Sequence, residues 1–87
     1  MGLTMYGMRI CPDCADALTE LNRRGTEYVY KDFSEDTANL KEFLKYRDTS
    51  GIFEQVKEEG RIGIPCFVLP DGRLTLSFEE ACSCIKD

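Results

Sequence analysis

The sequence predicts an α/β fold: one small four-stranded mixed sheet with helices on both faces. Two observations predict it. Strand, helix and strand patterns follow one another over residues 3–31, and a crossover helix of that length requires a parallel pair with a right-handed connection. Further on, a turn-forming Pro70-Asp71-Gly72 joins two short apolar runs, which is hairpin chemistry and makes an antiparallel pair. Between and after them lie segments of helical period, giving the order β-α-β-α-(α)-β-β-α within a single domain, 1–87.

Each element has a local reason. Leu3 to Met8 carries apolar side chains on both faces, as a strand covered on both sides does. From Pro12 to Arg24 the apolar positions Cys14, Ala15, Ala17, Leu18 and Leu21 have helical spacing. Arg23 and Arg24 suit a helix C-terminus, and Gly25 is the expected residue just past it. Thr26 to Lys31 reads as the second strand, through Tyr28, Val29 and Tyr30. A second helix starts at Ser34 or Asp36, turns Leu40, Phe43, Leu44 and Arg47 to one face, and breaks at Asp48-Thr49-Ser50-Gly51. Ile52, Phe53 and Val56 mark a short helix ending before Gly60, with a loop over 60–63. Cys66 to Leu69 is a buried strand and Arg73 to Leu76 its alternating partner. Ser77 and Glu80 form a capping box for a last helix that buries Ala81, Cys82 and Ile85.

Composition removes several function classes. The net charge of −5, with no basic run longer than Arg23-Arg24, excludes a nucleic-acid surface. No apolar run approaches the roughly 20 residues of a membrane span. The N-terminus lacks the pattern of a secretory signal, and Tyr6 stands where a myristoylation motif has Ser or Thr. A reducing cytosol is therefore the expected setting and a monomer the expected state. No histidine is present, which removes Cys–His nucleophiles, Ser–His–Asp triads and His-containing metal sites.

The five cysteines carry the chemistry. Cys11-Pro12-Asp13-Cys14 lies between a strand and a helix, a redox signature. Pro12 belongs to the first helical turn, which makes Cys11 the N-cap residue. A thiolate there gains from the unpaired backbone N–H groups and the helix dipole, so Cys11 is the expected attacking thiol. Cys14, one turn on, can close a disulfide onto it. The competing reading is a metal centre, zinc or iron–sulfur, held by Cys11, Cys14 and Cys66 and shared between subunits if needed. Tetrahedral zinc wants four ligands, and Cys82-x-Cys84 is a poor second pair. A third reading is a non-catalytic interaction protein with inert thiols. Cys66 reads as a core residue with an accessory thiol role open to it, and Cys82 and Cys84 as helix residues, one inward and one outward.

The Cys-Pro-x-Cys motif, the Ile64-Pro65 pair before a buried strand, and the Pro-Asp-Gly hairpin before a capped helix together resemble the glutaredoxins, the compact branch of the thioredoxin fold. The resemblance implies a cis bond at Pro65 beside the Cys11 sulfur, and an Ile64 backbone offered to an extended substrate. It implies thiol–disulfide exchange: Cys11 attacks, and Cys14 or glutathione resolves the mixed disulfide. No tightly bound cofactor is expected. Glutathione is a candidate co-substrate, disulfide-bearing proteins are candidate substrates, and a flavin-dependent reductase is a candidate reductant. Substrate-binding residues carried over are Arg9, Pro12, Asp13, Ile64, Pro65, Ser77, Phe78 and Glu79.

Three departures from the family pattern stand out. Asp13 replaces an aromatic residue. Its charge, roughly 6 Å from the sulfur, opposes a thiolate by about 0.7–3 kcal/mol, against up to ~2 kcal/mol from the helix N-terminus. Arg9 is the nearest cation able to restore the balance. Leu76-Ser77 stands where the family has a glycine pair admitting the γ-glutamyl carboxylate, and Met8 replaces its lysine.

Overall fold

Strand β1 (Leu3–Gly7) is the axis of the fold, because neighbours occupy both of its edges. In the computed structural model, which describes residues 2–84, β2 (Tyr28–Asp32) lies parallel on one side of it, with Leu3 opposite Tyr28 and Gly7 opposite Asp32. On the other side β3 (Cys66–Val68) runs antiparallel, pairing Met5 with Phe67 and Tyr6 with Cys66. The edge strand β4 (Leu74–Thr75) pairs antiparallel with β3, so the sheet order is β2-β1-β3-β4. Helix α1 (Pro12–Arg24) connects β1 to β2. Helix α2 (Thr37–Thr49), a 3-10 turn (Gly51–Phe53) and helix α3 (Glu54–Glu58) fill the gap before β3, and α4 (Phe78–Ser83) follows β4. The expected α/β architecture is present. Among the described residues no helix is long and apolar enough to cross a membrane.

The strand alternation divides the core into two clusters. Leu3, Met5 and Phe67 join Cys14, Ala17, Leu18 and Leu21 of α1 and Ala81 of α4. Tyr6 and Cys66 join Phe33, Phe43 of α2, Phe53 and Val56. Paired residues share a face and successive residues take opposite faces, so register alone separates Met5–Phe67 from Tyr6–Cys66. The second cluster is aromatic: the Phe43 ring lies 5.0 Å from Phe33 and 5.6 Å edge-on from Phe53, centroid to centroid.

Element ends differ from expectation by one or two residues, for identifiable reasons. β1 stops at Gly7, one residue short. β2 begins at Tyr28 rather than Thr26, because the Thr26 N–H is used in capping α1. It donates to the Leu21 carbonyl while Gly25, at φ 70°, donates to Asn22, the two bonds of a Schellman cap. Of the two expected starts for α2, Asp36 is the N-cap, its carboxylate accepting from the Ala38 N–H. β4 ends at Thr75, one residue early, because the Thr75 hydroxyl accepts from the Ser77 N–H and turns the chain into α4. At the other end Leu69 and Arg73 belong to the turn, where the Leu69 N–H donates to Arg73 and the Gly72 N–H to Leu69. The capping box is half made. Ser77 Oγ accepts from the Glu80 N–H at 3.1 Å, but the Glu80 carboxylate takes the Thr75 hydroxyl instead of the Ser77 amide. Ala81 is buried and Cys82 half-buried, while the expectation for Ile85 lies outside the described residues.

Candidate active site

Four residues turn the end of β1 into α1. The Cys11 N–H donates to the Met8 carbonyl at 3.0 Å, and the Cys11 carbonyl accepts from Ala15 at 2.9 Å. Cys11 is thus the N-cap, in extended conformation, with Pro12 opening the helix. Its sulfur accepts no capping hydrogen bond from the helix amides. It meets the Cys14 thiol instead, which donates a hydrogen bond to it. Cys11 is half-buried and Cys14 fully buried. Burial raises the Cys14 thiol well above its ordinary value. A hydrogen bond from the Met8 backbone works the other way, and Cys11 and Asp13 add to the rise. One sulfur therefore faces solvent, while the other stays protonated behind it.

The backbone of β1 makes room for that inner sulfur. A β-carbon on Gly7 would lie 2.6 Å from Cys14 Sγ, closer than any contact allows. The facing wall needs a glycine for a different reason. Gly63 has φ 95°, and a β-carbon there would sit 2.9 Å from the Phe53 ring. The chain then passes through Ile64, which packs against both core clusters, and the cis Ile64–Pro65 bond.

Two grooves flank this turn and share Asp13. One, of about 430 Å³, is lined by Met8, Ile10, Cys11, Asp13, Ile62 and Ile64, with Arg61 at its edge. The other, of about 490 Å³, runs between α1 and the hairpin, lined by Asp13, Asp16, Ala17, Pro65, Leu76 and Phe78. Pro65 and Phe78, expected as substrate contacts, share one groove and Ile64 and Cys11 the other, and a smaller groove of about 270 Å³ brings Asp13, Ile64 and Pro65 together beside Arg61. Ser77 Oγ is committed to the α4 cap, and Glu79 is exposed in the first turn of that helix. The Phe78 ring carries the Arg24 guanidinium at 5.4 Å and packs edge-on against Phe67.

Arg9 is placed at the end of β2. Its guanidinium lies 5.2 Å over the Tyr30 ring, 4.0 Å from the Asp32 carboxylate and 3.8 Å from Glu35. The charge expected to support a Cys11 thiolate is thus answered by two carboxylates. Asp32 itself was not singled out by the sequence reading. It is fully buried, and accepts from the Tyr30 hydroxyl at 2.7 Å, the Ser34 N–H at 2.7 Å, the Ser34 hydroxyl and the Arg9 N–H at 3.0 Å. Burial alone would raise this carboxyl. The hydrogen bonds, led by the Ser34 and Tyr30 hydroxyls, outweigh it and hold the group down at about 2. Tyr30 in turn packs against the cluster that contains Cys14. The available signal was the Tyr30-x-Asp32 spacing, which puts both side chains on one strand face.

Cys66 lies on the other face of the sheet from Cys14, completely buried among Tyr6, Phe43 and Phe53, and burial pushes its thiol up to about 12. That placement supports packing and separates it from the pair. Cys84 is exposed and accepts a contact from the Arg73 guanidinium at 3.5 Å. Among the described residues no three His, Cys, Asp or Glu side chains are grouped as metal ligands.

Fold and site together define an α/β domain with a two-cysteine centre at a helix start. Over 76 residues the chain is 37% identical to a protein of Haemophilus influenzae described as uncharacterized, covering 87% of this chain and 88% of that protein, and the two belong to one family. No established family profile matches the chain, and no solved structure matches it.

Proposed function

We propose that the protein is a thiol–disulfide oxidoreductase of the glutaredoxin type, on a thioredoxin-like fold. The observation that carries this reading is the asymmetry of the pair: a half-exposed Cys11 at the helix start, hydrogen-bonded by a buried, protonated Cys14. The sheet order β2-β1-β3-β4, with the motif at the end of the central strand, supports the fold assignment.

In the reaction Cys11, as thiolate, attacks one sulfur of a substrate disulfide. The substrate S–S bond breaks, the Cys11–substrate bond forms, and the first substrate thiolate leaves with a proton from solvent. Cys14 then gives up its proton and attacks the Cys11 sulfur. The second substrate thiol leaves, and the Cys11–Cys14 disulfide holds the two-electron oxidation. Keeping Cys14 protonated until this point leaves Cys11 as the attacking member of the pair in the first step. Glutathione or a flavin-dependent reductase returns the pair to the dithiol.

The test is a stoichiometric oxidation of the reduced protein by a small disulfide, quenched in acid and mass-mapped. Wild type loses two thiols, at Cys11 and Cys14. Cys14→Ser stops at a mixed disulfide on Cys11, and Cys11→Ser does neither. Cys84, itself exposed, is replaced by serine in all three proteins so that its own exchange is not read, and oxidation of Cys14 that persists in Cys11→Ser sinks the assignment.

A further inference from the structure

The groove between α1 and the hairpin carries a charge pattern that names a class of substrate, given the thiol–disulfide reading above. Its floor is apolar, made by Ala17, Pro65, Leu76 and Phe78, and its α1 rim is acidic, with Asp13, Asp16 and Glu20. These acids are not equivalent. Glu20 is paired with Arg23 and Arg24, the latter at 2.8 Å, and its charge is met within α1. No ion pair is made by Asp13 or Asp16 among the described residues, and both side chains are exposed. Asp13 also borders the second groove, where the cation Arg61 is paired with Glu59 at 2.6 Å. The groove that contains Cys11 and the groove beside it therefore share the unpaired Asp13 over apolar surface.

We infer that the disulfides this protein reduces belong to polypeptides with cationic and apolar residues flanking the cystine, and that Asp13 and Asp16 select them. Arg24 covers the Phe78 ring, so a lysine or arginine stem of the substrate lies along Pro65 and Leu76 while its charge meets the two carboxylates. Glutathione has the opposite character. It presents two carboxylates for one ammonium group, and the same two aspartates repel them. Steering by two unpaired carboxylates on the first turns of α1 acts on the encounter rate and fades with salt.

The experiment measures how fast each of three disulfides oxidises the reduced protein in a single turnover. Each is a cysteine peptide dimerised through its cystine, with leucine on one side and lysine, glutamine or glutamate flanking it. Every rate is divided by the rate of the same disulfide with dithiothreitol, which removes its intrinsic reactivity. At low salt the lysine peptide is expected to outrun the glutamate peptide by about tenfold or more, and high salt to reduce the ratio to about twofold. Asp13→Asn/Asp16→Asn abolishes most of the ratio, and Asp16→Asn alone, outside the Cys11–Cys14 turn, removes part of it. Because a ratio is read, any change in Cys11 reactivity common to the three peptides cancels. A wild-type ratio near one, or a ratio unchanged in the double variant, overturns the charge selection while leaving the oxidoreductase reading intact. Failure of wild type to react with even the glutamine peptide overturns the oxidoreductase reading, and this inference with it.

Discussion

Gly7 and Cys14 are in direct opposition: the α-carbon of one faces the sulfur of the other so closely that no β-carbon fits between them. The end of β1 and the first turn of α1 are thereby locked at one separation, and the inner thiol is held against the backbone rather than turned to solvent. Gly7→Ala is expected to destabilise the reduced protein by about 1–3 kcal/mol, the usual cost of forcing an atom into a packed core. The cause is one contact, so a double-mutant cycle isolates it. Denaturant unfolding of Gly7→Ala in a Cys14→Ala background should show most of that loss restored. Equal losses in both backgrounds would mean that Gly7 matters for another reason.

The buried Asp32 is expected to make the protein acid-sensitive. Its carboxyl is held below the ordinary 3.8, at about 2, so its contribution is complete above pH 4 and is lost as pH falls from there through about 2. Asp32→Ala leaves the Tyr30 hydroxyl and the Ser34 and Arg9 amides without their acceptor, at a cost of about 2–4 kcal/mol at neutral pH. The same variant should show a flatter loss of stability between pH 4 and pH 2. A parallel acid limb in wild type and variant would place the titrating group elsewhere.

Much of this was legible in the sequence where the signal is local. Cys11-Pro12-Asp13-Cys14 is contiguous, and Pro12 alone requires the helix to begin there, so the N-cap position of Cys11 could be read without coordinates. Gly25 marked the end of α1 through its φ preference. Thr26 was misread because a backbone N–H at that point of a sequence can serve either the helix or the sheet, and only the completed cap decides which. The face taken by Cys66 follows from alternation next to Phe67, but needs the register with Tyr6 to say which face is which. The grooves were out of reach. Asp13 and Asp16 come from one helix, while Pro65, Leu76 and Phe78 come from segments some fifty to sixty residues later, and no period in the chain relates them. Gly7 against Cys14 is likewise a distance between elements and leaves no mark in composition.

At high pH the two buried thiols should act together. A thiol whose folded value is raised holds its proton while the unfolded chain releases one, so its stabilisation is full below pH 9 and is lost as pH rises toward the folded value. For Cys66 that window runs from the ordinary 9.0 up to about 12, and Cys14 is shifted in the same direction. Each contributes a slope of about 1.4 kcal/mol per pH unit inside its window. Cys66→Ala will be less stable throughout because it leaves a cavity, so the slope is the informative quantity. It should fall by about that amount relative to wild type in urea titrations between pH 9 and 11. An unchanged slope would mean that Cys66 already ionises in the folded state.

Thiol accessibility gives a direct readout of the same arrangement. Cys11 is half-exposed and Cys84 exposed, whereas Cys14 and Cys66 are fully buried. A brief treatment of the reduced, folded protein with iodoacetamide, followed by peptide mass mapping, should therefore modify Cys11 and Cys84 and leave Cys14 and Cys66 protected. The protection should vanish in denaturant. Local and global opening can then be told apart, because Cys14 lies under one turn of chain and Cys66 under the whole aromatic cluster. Cys14 should become reactive at lower denaturant than Cys66, since opening the Met8–Cys11 turn exposes far less core than separating Phe43 and Phe53 from the sheet. Modification of Cys66 before Cys14 would mean that the α2 side of the sheet, and not the turn that carries Cys11, is the first part of the fold to open.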